Sequence, residues 1–226
     1  MALSFGFLVF PSIQQLDLTG PYEVFSSAEG GADVHLIWKD RNPVKSSSGL
    51  TFIPTATFDD CPQLDVICIP GGGGVNPLLT DDVVLDFVRQ QARGARYVTS
   101  VCTGALVLGA AGLLEGRRAT THWNAMDFLE HFGAIATEAR VVRDGNVITA
   151  GGVTSGIDFG LSILEEVFGQ TEAETVQLTL EYAPSPPFKS GKPGEARAEV
   201  LERGGRERLA ASRAAREAIF SNWKRD

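Results

Sequence analysis

The sequence predicts an α/β protein with a mostly parallel sheet and helices on both faces, and three observations predict it. Short apolar, β-branched runs recur at "LSFGFLVF" (3–10), "ADVHLIW" (32–38), "DVICIP" (65–70) and "ARYVTSV" (95–101). Segments of helical period separate most of them, and Gly- or Pro-containing turns lie at their ends. A chain of 226 residues, 43% hydrophobic, is long enough to bury one sizeable core.

The first run reads as a buried strand. After it, "LDLTGPYEVFSSAEG" reads as a helix with Pro21 at its first turn, where the missing N–H is tolerated, and with a polar end near Gly30. The strand at 32–38 completes a βαβ unit. Following "IPGGGGVNPLL", the segment "TDDVVLDFVRQQARG" predicts a helix capped by Thr80, with acids in its first turn, apolar residues at helical spacing and a glycine stop. The strand at 95–101, a turn at Cys102 and a helix over 103–114 come next. A short strand near Ala119 and a helix around 124–132 follow. In "RVVRDGNVITAGG", Asp144-Gly145-Asn146 between β-branched residues signals a hairpin. Helical patterns resume at 156–168 and 171–182. The expected organisation is an α/β unit over 1–182, a Pro-rich linker over 183–194 and a basic, helical tail over 195–226, interrupted by Gly204-Gly205.

The net charge of −8 is uneven, with 10 basic and 6 acidic residues from Lys189 onward against 10 and 22 before it. An acidic body argues against a nucleic-acid surface, and the basic tail reads as a solvated amphipathic helix or a subunit-packing arm. No uncharged apolar run reaches the ~18 residues of a membrane span, and no basic-then-apolar leader opens the chain. A soluble, cytoplasmic protein without membrane partners is expected. Cys61, Cys68 and Cys102 are an odd count for so long a chain, which speaks against a disulfide framework. No Cys or His pair has zinc-site spacing.

Cys102 is the residue that raises a chemical question. It stands at a strand-to-helix turn, beyond the carboxyl end of a strand, where parallel α/β sheets place their ligand sites. There it faces a helix N-terminus, whose N–H groups favour a thiolate, and Gly104 permits the tight turn. A small packing residue is the alternative. The glycines 71–74 open at the same sheet edge, and the N–H groups of Gly72 and Gly73 are candidates for stabilising developing negative charge; a flexible turn is the other reading. Asp17 reads either as a helix cap or as a carboxyl that shuttles a proton to and from the thiol site. His122 and Trp123, in "TTHW", are candidate substrate-binding residues, a structural histidine being the alternative; His35 and His131 have no catalytic context.

Taken together, "LDLTGP", "PGGGG", "VTSVCTGALVLGAAGLL" and "ATTHW" resemble the DJ-1/PfpI superfamily over residues 3–182. Within it, "FPSIQQLDLTGP", "VHLIWK", "DVICIPGG", "VVRDGN" and "VQLTLEYAPSPPF" are similar to the bacterial branch that hydrates isocyanides. The resemblance implies a flavodoxin-like fold with a nucleophile-elbow cysteine, and a homodimer that adds water to R–N≡C to give an N-formamide without metal or organic cofactor. It places the nucleophile on Cys102, the acid on Asp17 and the elbow hydroxyl on Thr103. An aspartate on the first loop, where many members carry glutamate, favours this branch; Ala150 stands where the branch has glycine. The implied course is attack by the thiolate on the isocyanide carbon, protonation by Asp17 and hydrolysis of a thioimidate. An uncharged, largely apolar substrate requires no arginine clamp, and none is evident near the motif.

Two other readings compete. A glyoxal-directed hydratase of the same family could use the same thiol on a carbonyl carbon. A ligand-sensing domain of a transcriptional regulator is the non-enzyme reading, but the residues after the linker are too few for a pair of helix-turn-helix units. Peptidase or glutaminase activity is disfavoured, because Thr103 rather than histidine follows the cysteine.

Overall fold

The computed structural model describes residues 3–29, 32–221 and 223. Seven strands form the central sheet: β1 (Leu3–Leu8), β2 (Ala32–Trp38), β3 (Ala56–Thr57), β4 (Val66–Ile69), β5 (Tyr97–Val101), β6 (Val141–Asp144) and β7 (Val147–Ala150). Their order is β6-β7-β5-β4-β1-β2-β3. Pairing is parallel from β7 through β3, and the hairpin β6–β7 adds the antiparallel edge. Gly145, at φ 63°, supplies the left-handed turn that the hairpin signal requires.

Among the described residues six α-helices of seven or more residues accompany the sheet: α1 (Gln15–Ser26), α2 (Asp82–Gly94), α3 (Gly104–Ala110), α4 (Ser155–Phe168), α5 (Gln170–Thr179) and α6 (Ala210–Phe220). The crossover from β1 to β2 runs one way along the sheet and that from β4 to β5 the other. Right-handed crossovers of opposite direction put their helices on opposite faces. The reversal lies between the neighbours β1 and β4, which is where a doubly wound sheet opens its crevice. Phe5, Phe7, Ile67, Ile69, Val98 and Val101 are buried along the central strands. On one face α1 and α4 approach closely: a Cβ added at Gly156 would lie 3.0 Å from Pro21 Cδ, and one at Gly160 3.0 Å from Val24 Cβ.

Several boundaries differ from the sequence expectation. Helix α1 starts at Gln15, so Pro21 is interior and Asp17 lies in the first turn rather than ahead of it. The reason is tertiary: the Gln14 N–H donates to the Gly71 carbonyl at 2.8 Å, fixing the helix start against the glycine loop. The polar end foreseen near Gly30 lies outside the described residues. Asp81, not Thr80, caps α2, its carboxylate accepting from the Val84 N–H at 3.3 Å. Helix α3 is shorter than 103–114, because the chain turns at Gly112 with φ 78°. The segment Trp123–Phe132 is a 3₁₀ helix, capped by the His122 Nδ1, which accepts from the Asn124 N–H at 3.2 Å.

The C-terminal segment is not a free appendage. Beyond the prolines it forms one helical turn (Ala198–Leu201), a wider π-type turn (Glu202–Glu207) and α6. Phe220 is buried, stacked 5.1 Å from Phe128 and edge-on to Phe132 at 5.3 Å. Arg213 pairs with Asp127 at 2.6 Å and donates to the Asn124 carbonyl at 3.0 Å. Burial of an aromatic together with a satisfied basic face offsets the entropy of ordering these residues, which charge counting along the sequence does not register.

Candidate active site

Cys102 occupies the junction between β5 and α3 in a left-handed conformation, φ 56°. For a residue with a side chain that geometry is strained and persists only where neighbours impose it. Here the Cys102 N–H lies between the Ala150 carbonyl at 2.9 Å and the Gly151 carbonyl at 2.8 Å, and its own carbonyl accepts from the Thr121 hydroxyl at 2.7 Å. Ala150 thus serves through its backbone. On the other side, a Cβ at Gly104 would meet the Ile69 carbonyl at 1.9 Å, so only glycine lets α3 begin this close to the end of β4. The elbow inferred from the sequence therefore forms, with Cys102 5% exposed.

Asp17 is fully buried. One carboxylate oxygen accepts the Gly71 N–H at 2.9 Å. The other has no hydrogen-bond partner among the described residues, and Cys102 is the side chain whose proximity acts on this carboxyl. Burial raises the carboxyl to about 7, against the opposing pull of the Gly71 N–H and the thiol. The thiol itself is pushed well up, first by burial and then by the negative charge of Asp17; the Thr103 N–H and hydroxyl act in the opposite direction. The expected preference for a thiolate at the helix start is thus outweighed by burial and by Asp17. Asp17 thus opposes ionisation of the thiol, whereas the protonated thiol favours that of Asp17, so the two titrations are coupled.

Thr103 and the glycine loop hold this pair. The Gly72 N–H donates to the Thr103 hydroxyl oxygen at 3.1 Å. With the Gly71 N–H on Asp17, two of the loop donors are committed within the site, which corrects the expectation that Gly72 offers its N–H to substrate. A Cβ at Gly71 would lie 2.6 Å from Thr103 N and 2.8 Å from the Asp17 carboxylate, and Gly72, at φ 128°, would clash with the Gln14 N–H. Gly73 is exposed with open space around it and remains a candidate donor.

His122 and Trp123 follow Thr121, whose hydroxyl bonds the Cys102 carbonyl, and their rings lie 5.3 Å apart. Burial and the nearby Arg216 charge lower His122, so the ring is neutral; with Nδ1 accepting, Nε2 carries the proton. Trp123 packs against the C-terminal segment, since a Cβ at Gly205 would sit 2.7 Å from its ring.

Sequence reasoning missed Arg216. It is 3% exposed on α6, its Nε donating to the Asn76 side-chain oxygen at 3.2 Å and its guanidinium 5.2 Å from the centre of the Phe128 ring. Asn76, in the helical turn Val75–Leu78 that continues the glycine loop, donates in return to the Ser212 carbonyl at 3.1 Å. The spacing of Arg213, Arg216 and Phe220 on one helical face was the available signal. Among the described residues no three His, Cys, Asp or Glu side chains converge to hold a metal ion. A groove of about 1000 Å³ lined by Leu79, Phe132 and Ile219 lies at the far end of α3 and contains none of these site residues.

Residues 4–166 match the DJ-1/PfpI family. The chain is 61% identical over 202 residues to an isonitrile hydratase of Pseudomonas putida, a match covering 89% of this chain and 88% of that one. It superposes with a TM-score of 0.93 on the crystal structure of a ThiJ/PfpI family protein from Pseudomonas syringae, at 44% identity, covering 97% of this chain and 91% of that chain. It is also 30% identical over 174 residues to the HTH-type transcriptional regulator GbdR of Pseudomonas aeruginosa, covering 74% of this chain but only 47% of that protein.

Proposed function

The chain belongs to the DJ-1/PfpI family, and from that premise we propose that it is an isocyanide hydratase using Cys102 as nucleophile and Asp17 as the proton carrier. The observation that carries the reading is the 61% identity, across nearly the whole of both chains, to an isonitrile hydratase, in a chain whose left-handed elbow cysteine acts on a buried carboxyl.

The chemistry follows from that pair. Cys102 forms an S–C bond to the terminal carbon of R–N≡C, and the carbon takes the proton held by Asp17, giving R–N=CH–S–Cys102. Water then attacks the same carbon while Asp17, now a carboxylate, takes a water proton and passes it to nitrogen. Collapse of the tetrahedral adduct breaks the C–S bond, returns the hydroxyl proton to Asp17 and releases R–NH–CHO with the thiolate. A carboxyl raised to about 7 suits both directions, because acid–base catalysis is most effective when the group's pKa lies near the working pH. Thr103 and Gly71 keep the two reacting groups in register, Gly73 is left to face the substrate, and His122 and Trp123 line the apolar mouth. No step requires a metal or organic cofactor. The enzyme acts as a homodimer in the cytoplasm, so sedimentation should give twice 24.2 kDa.

Incubation with a panel of alkyl and aryl isocyanides tests the reading, with the N-formamide as the measured product and glyoxals as the competing substrates. Turnover of glyoxals without formamide formation would overturn it.

A further inference from the structure

The turn that holds Cys102 in its left-handed conformation is itself held from outside the site. The Cys102 N–H lies between the Ala150 and Gly151 carbonyls, so the path of residues 150–154 fixes the backbone from which the thiol projects. Within this turn the Gly152 carbonyl accepts both the Ser155 N–H and the Ser155 hydroxyl at 2.7 Å. From outside, Arg140 grips it at both ends. Its carbonyl, one position ahead of β6, accepts the Gly151 N–H at 2.8 Å. Its guanidinium reaches the start of α4, where Nε donates to the Asp158 carboxylate at 2.8 Å and both terminal nitrogens lie 3.5 Å from the Thr154 hydroxyl. The second Asp158 oxygen accepts from the Tyr182 hydroxyl at 3.2 Å. Two main-chain bonds in series, Gly151 N–H to Arg140 and Cys102 N–H to Gly151, therefore join this arginine to the cysteine. A left-handed residue with a side chain relaxes unless its surroundings over-determine it.

We propose that Arg140 is a positioning residue for the reaction, a clamp across the Gly151–Asp158 turn that keeps Cys102 in its strained conformation with the thiol beside Asp17. The inference rests on Cys102 being the nucleophile of the proposed hydration, and it extends that site to residues outside the β1, β4 and β5 loops. The Arg140–Asp158 pair is 49% and 33% exposed, and ion pairs so open to water add little to stability. What it does instead is tie the hairpin edge of the sheet to α4 across the turn on which the cysteine hangs. The charged and titratable groups around the thiol are Asp17 on α1, His122, whose Cδ2 would lie 3.6 Å from a Cβ at Gly152, and Arg216 on α6. Loss of the clamp leaves all three in place.

The test compares Arg140→Gln with the wild type as full-length proteins, by formamide turnover and by the pH dependence of Cys102 alkylation with iodoacetamide, the modified residue being identified by mass spectrometry. Turnover should fall about tenfold or more in kcat with KM within about twofold, because the thiol and not the substrate is misplaced. The alkylation midpoint should fall by about half a pH unit or more, since the thiol leaves the Asp17 charge that opposes its ionisation. Loss of a cation alone would move the midpoint the other way, and a purely structural arginine would move the urea midpoint and leave this one in place. Asp158→Asn should reproduce the kcat loss, and it serves if Arg140→Gln fails to fold. The double variant should be no slower than the slower single, as expected of two halves of one clamp. Wild-type kcat and alkylation midpoint in a folded single variant, or losses that multiply in the double variant, overturn the proposal. Because alkylation needs no isocyanide, a chain that shows the midpoint shift but makes no formamide would refute the hydratase reading and leave the clamp standing.

Discussion

The floor and the cover of the Cys102 site are built by different means. The floor is the carboxyl edge of β1, β4 and β5, where main-chain bonds and absent side chains set the geometry: Cys102 is held by two carbonyls, Asp17 by the Gly71 N–H, and α3 fits because residue 104 is glycine. The cover is the Trp123–Phe132 segment with α6, and side chains hold it through the Arg213–Asp127 pair, the Phe128–Phe220 stack and two guanidiniums over Phe128. Backbone contacts of that kind tolerate almost no substitution, whereas side-chain contacts can be exchanged one at a time. The difference separates a part that fixes which atoms react from a part that sets charge and access around them.

The comparison is sharpest where the floor loses a reacting atom. Cys102→Ala should reduce formamide production by about 10⁴-fold or more with an unchanged circular dichroism spectrum. Asp17→Asn, nearly isosteric, should lower kcat by ~10²–10⁴-fold. The same variant should shift Cys102 alkylation to lower pH, since a charge that opposes the thiolate has gone. Asp17 also ties stability to pH. Folded, it keeps its proton up to about 7, against 3.8 when unfolded, so stability falls as pH rises through that window and levels off above it. The drop is on the order of a few kcal/mol in urea titrations at pH 4 and pH 8, and Asp17→Asn should abolish it.

A smaller effect is expected at Gly71→Ala, where the added methyl meets Thr103 and Asp17 and should cost roughly 1–3 kcal/mol in denaturant midpoint. The least effect belongs to the cover. Arg213→Ala breaks an ion pair whose partners are 35% and 58% exposed, and thermal melts should show a loss of about 0.5 kcal/mol with no change in the alkylation midpoint. A large loss of turnover from Arg213→Ala would erase the distinction between floor and cover.

The same division decides what could be read in advance. β1, β2, β4 and β5 and the elbow are local patterns: apolar runs of strand length, a Cys-Thr-Gly turn and four adjacent glycines, each interpretable from a few neighbouring residues. The hairpin at Gly145 was legible for the same reason. The start of α1 was not, because it depends on a bond between Gln14 and Gly71, and so Pro21 and Asp17 were misplaced by a turn or more. Nor could the commitment of the Gly72 N–H to Thr103 be seen, since both readings of the loop need the same glycines. Arg216 was the largest omission. Counted as one of ten basic residues from Lys189 onward, it looked like solvated charge, and only the docking of Phe220 and Asn76 turns it inward.

The docking of α6 also has a temporal side. A chain emerging from the ribosome in order presents the β1, β4 and β5 edge long before residues 210–220 exist, and N-terminal parts generally fold first. The thiol and carboxyl can therefore meet in a nascent protein that still lacks its buried guanidinium and the wall beside Trp123. The wall beside Trp123 is thus laid over a pair that has already met.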